Sequence, residues 1–156
     1  MEGGEGDLAD RQMVADLVTR LFISGDERRW DEMLDYFAPK VLLDMSSVSG
    51  VKPSRTSPKK IAELWESGVK GLAVAHHQLG NMLVNVEGDE ASVFCYATAT
   101  HYFPNATGGN VHSFVGTYDF HLTRTGAVWL IDAFRFNLKF EEGNLLLSEL
   151  AKKSLR

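Results

Sequence analysis

Residues Ala75–Phe103, AHHQLGNMLVNVEGDEASVFCYATATHYF, constrain the fold more than any other stretch of the chain. Val, Phe, Tyr and Thr favour extended backbone, and Glu87-Gly88-Asp89-Glu90 supplies turn residues between two such runs. The stretch therefore predicts a long antiparallel hairpin. Alternation groups Ala75, His77, Leu79, Asn81 and Leu83 on one face of its first strand. It groups Val93, Cys95, Ala97, Ala99 and His101 on one face of the second. With a three-residue loop, His77 and His101 stand opposite each other, with Cβ atoms about 5 Å apart. A two-residue loop with no bulge reverses that parity. Small neighbours (Cys95, Ala97, Ala99) leave room in front of the imidazoles, which is what the floor of a pocket needs.

The rest of the chain supplies helices before this hairpin and strands after it. Residues 1–7 are expected to be disordered, and residues 8–140 to form one domain. Val14, Leu17, Val18, Leu21 and Phe22 recur at helical spacing from Leu8, with Gly25 as a stop and Asp26 as the cap of a short second helix. Val41–Met45 reads as a strand, and polar Ser46–Thr56 as a loop and candidate lid. Ser57-Pro58 opens a third helix that buries Ile61, Leu64 and Trp65. Pro104–Asn110 is a loop, followed by strands at Val111–Arg124 and Val128–Phe140. Glu141-Glu142-Gly143 is expected to end the last strand. Residues 141–156 form a tail or helix, with Leu145, Leu146, Leu147 and Leu150 available to cover a pocket. Helices first and an antiparallel meander afterwards define an α+β fold, a curved sheet wrapped over three helices as a cone with an open mouth.

Charge and cysteine content narrow the partners. A net charge of −5 without a basic run argues against nucleic acid and anionic membranes. A single cysteine, Cys95, forms no internal disulfide and suits a reducing compartment. With no apolar leader or ~20-residue apolar run, the expectation is a cytoplasmic protein. Tyr96 and Phe94 alternate outward with Thr98 and Thr100, so the outer sheet face is expected to bury in a homodimer or homotrimer.

The chain has five histidines, His76, His77, His101, His112 and His121, and alternation turns His76 away from the His77 face. A strand histidine is most often a surface or hydrogen-bonded core group, but two on one face among small residues point to acid/base chemistry. Asp26 has two readings, a helix cap or the carboxylate that orients an imidazole. Two histidines and a carboxylate also compose the ligand set of non-haem iron oxygenases, but the spacing matches no ligand motif, and no metal or cofactor is assigned. Cys95 has no basic neighbour to lower its pKa.

The ordered set Asp26-Glu-Arg-Arg-Trp30-Asp-Glu-Met-Leu, Ala38-Pro39…Leu43-Asp44, Ala75-His76-His77-Gln-Leu-Gly80-Asn81, Thr100-His101-Tyr102 and Gly126-Ala-Val-Trp129 resembles the SnoaL-like branch of the nuclear-transport-factor-2-like superfamily. Within that branch it is similar to the scytalone dehydratases. The resemblance implies a cone of curved sheet plus three helices, dimeric or trimeric, working without a cofactor. It also implies Asp26, His77 and His101 as the catalytic set, with Asp26 bonded to His101. The family's carbonyl-polarising tyrosines fall on Gly25 and Met45, and its pocket asparagine near Tyr118. Met45, Asn81, Tyr102, Tyr118 and Phe136 are the candidate substrate contacts. The expected function is a dehydratase-type lyase or isomerase on a small cyclic or polyketide-like carbonyl compound. The alternatives are a small-ligand-binding or assembly module, or the small subunit of a ring-hydroxylating oxygenase.

Overall fold

The computed structural model describes residues 5–156. The expected disorder of residues 1–4 lies outside the described residues, whereas Glu5–Asp7 are helical, so the first helix begins before Leu8. Helix α1 (Glu5–Asp26) buries Val14, Val18, Leu21 and Phe22, the apolar stripe that the sequence presents every three or four residues. It does not stop at Gly25. A Cβ there would lie 2.6 Å from the indole of Trp65, so the glycine serves close packing rather than termination. Gly25→Ala adds about 1 kcal/mol of helix propensity but must displace that indole. A net loss of about 1–3 kcal/mol is expected from a urea midpoint, and a gain in stability would show that Trp65 moves aside freely.

Helix α2 (Trp30–Leu34) follows a turn in which Arg28 takes φ 58°. No side chain caps it, so Asp26, the last residue of α1, is not the expected helix cap. Strand β1 (Phe37–Asp44) starts earlier than expected, because Pro39 lies in the stretch between Phe37 and Leu42 where its pairing is irregular.

Ser46–Thr56 is not a plain loop. It contains helix α3 (Ser46–Ser49), so four helices rather than three precede the hairpin, and strand β2 (Ser54–Thr56), which pairs with β1. Asp44 accepts from the backbone N–H and the hydroxyl of Ser46. The Ser47 hydroxyl donates to the Phe136 carbonyl at 2.7 Å and accepts from the Leu138 N–H at 2.9 Å. Those backbone groups lie just past the last β1 pairing, Asp44 with Arg135, so Ser47 takes over where β1 ends. The polar residues that suggested a mobile lid satisfy a sheet instead.

Helix α4 (Pro58–Val69) begins as expected, with the Ser57 hydroxyl accepting from the Lys60 N–H. Ile61 and Ala62 are buried, but Leu64 is 49% exposed, off the inward stripe. Strands β3 (Val74–Glu87), β4 (Glu90–Tyr102), β5 (Val111–Thr125) and β6 (Val128–Gly143) complete a six-stranded sheet in the order β2-β1-β6-β5-β4-β3. β1 runs parallel to β6 and the other neighbours are antiparallel, giving a mixed sheet. β6 continues through Glu141-Glu142-Gly143, because Phe114, Ser113 and His112 on β5 remain available as partners. Helix α5 (Leu147–Lys153) buries Leu147 and Ala151 against Val69, Leu72 and Ala75, closing that end of the cone. The principal core joins α1 to the concave face of the sheet through Val93, Cys95, Phe120, Leu122, Ile131 and Phe134. Among the described residues no helix is long and apolar enough to cross a membrane.

Candidate functional site: an imidazole–carboxylate pair in an aromatic interior

The β3–β4 hairpin turns on two residues, Gly88-Asp89, which alone would put His77 and His101 on opposite faces. A bulge between Gly80 and Leu83 restores the parity. Asn81 takes φ 48° there, a left-handed conformation that asparagine tolerates better than most residues. Both imidazoles consequently face the interior, though not directly opposed. His77 pairs with Ala99, and His101 with Ala75. The same bulge turns Leu83 outward, 71% exposed, against the expectation that it shares the His77 face.

Asp26 reaches His77, not His101 as expected. Its Oδ2 accepts the His77 backbone N–H at 2.7 Å, and its Oδ1 lies 2.7 Å from His77 Nδ1. The side chains are 8% and 12% exposed. A carboxylate only accepts, so Nδ1 carries the proton and the neutral ring keeps its lone pair on Nε2. The reason is positional. α1 runs one residue past Gly25 and ends beside β3, whereas His101 lies on the next strand inward. Both Asp26 oxygens are engaged, and among the described residues no group of three or more His, Cys, Asp or Glu side chains has the arrangement of a metal site.

Aromatic rings wall the pair. Phe22 lies 4.9 Å from the His77 ring and 4.9 Å from Tyr118, and Trp65 lies 5.7 Å from His77. Tyr118 and Phe136 are buried 4.7 Å apart. Burial first, then the neighbouring Cys95 and Asp26, hold the Tyr118 phenol well above its usual range, so it stays protonated and can donate. Burial likewise pushes the Cys95 thiol up to about 11, so it is a core group rather than a nucleophile. Met45 packs, half-buried, against the same cluster. Asn81 and Tyr102 do not join it. Asn81 is exposed in the bulge, and Tyr102, 38% exposed, falls on the outward face of β4. A cleft of ≈ 450 Å³ runs between α1 and β3, lined by Thr19, Phe22, Ile23, His77, Leu79 and Met82 among others. It reaches His77 from the side of the cone, away from the end that α5 covers.

His101 stands apart electrostatically. Burial, then repulsion from His77 and His112, lowers its pKa from 6.5 to about 4, with Asp26 opposing. At neutral pH it is an uncharged imidazole and not the proton-carrying partner of Asp26. Between those two pH values the unfolded chain binds a proton that the folded chain refuses, so stability is present above pH 6.5 and lost as pH falls toward 4. After allowance for partial exposure, about 2 kcal/mol should disappear across that window. His101→Gln should flatten this component, read as the difference between wild-type and variant urea midpoints at the two ends. Identical pH slopes would show that His101 titrates normally.

The histidine that sequence reading passed over is His112, 6% exposed, whose Nε2 lies 2.8 Å from Glu141 Oε2. It pairs directly with His101 across β4 and β5. The expected Pro104–Asn110 loop is centred on Thr107 and would bring Ser113 rather than His112 opposite His101, so only the observed register reveals the pair. The remaining two lie elsewhere: His76 is exposed, and His121 bonds Asp132 at 2.6 Å at a half-buried position.

A curled mixed sheet closed by helices, with imidazoles turned into its hollow, defines an α+β cone of the nuclear-transport-factor-2-like type. The chain belongs to the SnoaL-like domain family, whose sequence profile matches residues 6–135. It is 31% identical over 93 residues to an uncharacterised protein of Mycobacterium tuberculosis, a match that covers 58% of this chain and 60% of that relative. A protein of Kribbella flavida has the same fold, with TM-score 0.83, 19% identity and coverage of 94% of this chain and 99% of its own. A proposed scytalone dehydratase of Novosphingobium aromaticivorans superposes with TM-score 0.75, 13% identity and coverage of 88% and 89%. A hexachlorocyclohexane dehydrochlorinase of Novosphingobium barchaimii gives TM-score 0.74, 14% identity and coverage of 89% and 92%. At these identities the solved structures establish the fold.

Proposed function

We propose that the chain is a lyase or isomerase that acts on a small cyclic or polyketide-like carbonyl compound without a cofactor. The observation that supports this most directly is the Asp26 carboxylate holding both the backbone and Nδ1 of His77, in an interior walled by rings. An imidazole so oriented is a general base near neutral pH. His77 Nε2 removes a proton next to the substrate carbonyl. The electron pair forms the new double bond as the β-hydroxyl departs as water, or rests on the carbonyl oxygen as an enolate before reprotonation. The proton that His77 Nε2 has taken passes to the departing hydroxyl, which leaves as water and returns His77 to its neutral form. The neutral His101 N–H donates a hydrogen bond to that oxygen, and the Tyr118 O–H one to the carbonyl oxygen as charge develops there. Phe136 and Met45 supply apolar walls for a flat ring. The C-terminal helix closes the opposite end of the cone, through Leu147 and Ala151 on Val69, Leu72 and Ala75, and leaves the cleft beside His77 as the entrance. Names among the fold relatives include elimination enzymes, which is compatible with this chemistry.

The test is a panel of cyclic β-hydroxy ketones followed by the ultraviolet absorbance of the enone product. Wild-type protein is expected to accelerate at least one member, and His77→Ala to lose that acceleration. Equal background rates for both proteins across the panel would remove the proposal.

One observation favours a second reading, a small-ligand-binding or assembly module, including the small subunit of a ring-hydroxylating oxygenase. Phe22, Trp65, Tyr118 and Phe134 contact one another at 4.9–6.4 Å between centroids, in the space in front of His77. That reading predicts ligand binding without turnover, or a second chain on purification. On either reading the outer sheet face, where Tyr96 is 45% exposed and Phe140 51%, is proposed to join a homodimer or homotrimer. Scattering that reports a monomer at every concentration would oppose this.

A further inference from the structure

His112 and Glu141 form a second imidazole–carboxylate pair that the proposed chemistry does not use. His112 is 7% exposed at its side chain and Glu141 36%. The His112 ring stacks on Phe114 at 4.1 Å with a 35° tilt. His101 meets the same Phe114 edge-on at 5.2 Å, and the two imidazole rings lie 6.4 Å apart at 78°. Phe114 thus holds both rings in one cluster, and the cross-strand pairing of residues 101 and 112 fixes their separation.

We infer that His112, fixed by Glu141, is a positioning residue for the candidate site, which keeps the neighbouring His101 imidazole uncharged and turned toward the interior. The inference rests on the reading of His101 as a site imidazole that donates as a neutral group. The geometry carries it in three steps. Glu141 at 2.8 Å fixes the buried His112 ring, with its Nε2 turned to the carboxylate, directly across from His101. Repulsion from His77 on β3 and from His112 on β5 opposes a proton on His101. Asp26, at the end of α1, is the one carboxylate whose attraction for a proton on His101 is felt, and His77 stands on it with both hydrogen bonds. Four groups therefore set the state of His101: His77 on β3, Asp26 on α1, His112 on β5 and, through His112, Glu141 on β6. Take away the outer pair and one of the two groups that oppose a proton on His101 is gone.

The arrangement explains why β6 continues through Glu141 and Glu142. Ending that strand at Phe140 would leave His112 buried without a carboxylate, because Glu141 is presented by the residues that pair with Phe114 and Ser113.

The experiment is a proton NMR titration of the histidine Cε1–H resonances in wild-type protein, Glu141→Gln and His112→Phe. Glutamine keeps a hydrogen-bond acceptor at the half-exposed position, and phenylalanine keeps a ring on Phe114, so at least one variant should remain folded. In wild type the His101 resonance should stay constant until the pH falls well below 6. In both variants its midpoint should rise by about one pH unit, a tenfold gain in proton affinity, while His121 on the far side of β5 stays where it was. A purely structural tie between β5 and β6 would lower thermal stability without moving the His101 midpoint, and an unmoved midpoint in folded variants overturns the inference. The titration needs no substrate, so it fails or succeeds separately from the lyase proposal, which stands or falls on the ketone panel.

Discussion

Asp26→Asn should lower turnover by on the order of 10³–10⁴-fold while leaving the fold nearly unchanged. The expectation comes from the two hydrogen bonds that the carboxylate accepts. The His77 backbone N–H is an obligate donor, so the asparagine must turn its oxygen toward it. Its NH₂ group then faces His77 Nδ1, which has to become the acceptor. The proton moves to Nε2, and the atom proposed to remove the substrate proton no longer has a lone pair. Binding of a product-like ligand should survive, because nothing in the aromatic wall has changed. Nitrogen-15 shifts of the His77 ring report the tautomer directly. Asp26→Ala is a poorer test, since it also frees the end of α1 from β3. An Asp26→Asn protein with wild-type kcat on a ketone that His77→Ala cannot turn over would assign the carboxylate a structural role alone.

The second large effect is on stability. Phe22 lies at the centre of the interior, with ring centroids 5.6 Å from Trp65, 4.9 Å from His77, 4.9 Å from Tyr118, 6.0 Å from Phe120 and 6.4 Å from Phe134. It is 2% exposed, so Phe22→Ala loses the burial of a whole ring and opens a cavity that five neighbours cannot jointly fill. The expected cost is about 3–5 kcal/mol, which lowers Tm by on the order of 10 °C in a domain of this size. Calorimetry measures it. Phe22→Leu, which leaves most of the volume, should cost much less. A loss below about 1 kcal/mol for the alanine variant would mean that the rings collapse into the space, and that the wall around His77 is softer than its contacts suggest.

These two effects also show how the fold and the site depend on each other. Phe22 and Asp26 sit four residues apart on α1, so one face of one helix presents both the core anchor and the carboxylate. Trp65 from α4 fits against Gly25 between them. Displacing the helix by an ångström would separate Asp26 from His77 long before it unfolded the sheet.

Much of the architecture follows from local pattern. The apolar stripe of α1, the Ser57-Pro58 start of α4, the β3–β4 hairpin and the two later strands are properties of a few neighbouring residues each, so alternation and helical spacing reveal them. The inward set Val93, Cys95, Ala97 and Ala99 was legible for the same reason. Three decisions belonged to the tertiary structure. The bulge at Asn81 set the parity of the hairpin, because a two-residue turn alone would have separated the two histidines. The continuation of α1 through Gly25 gave Asp26 to His77 instead of His101, because only the packing of Trp65 shows that the glycine is a contact and not a stop. The extension of β6 brought Glu141 to His112, because a strand ends where its partner ends and not where its own composition turns acidic. The last two join residues far apart in sequence, 51 for Asp26 and His77 and 29 for Glu141 and His112. Side-chain periodicity reports the face a residue takes, but which distant group meets it there depends on how whole elements end and pack.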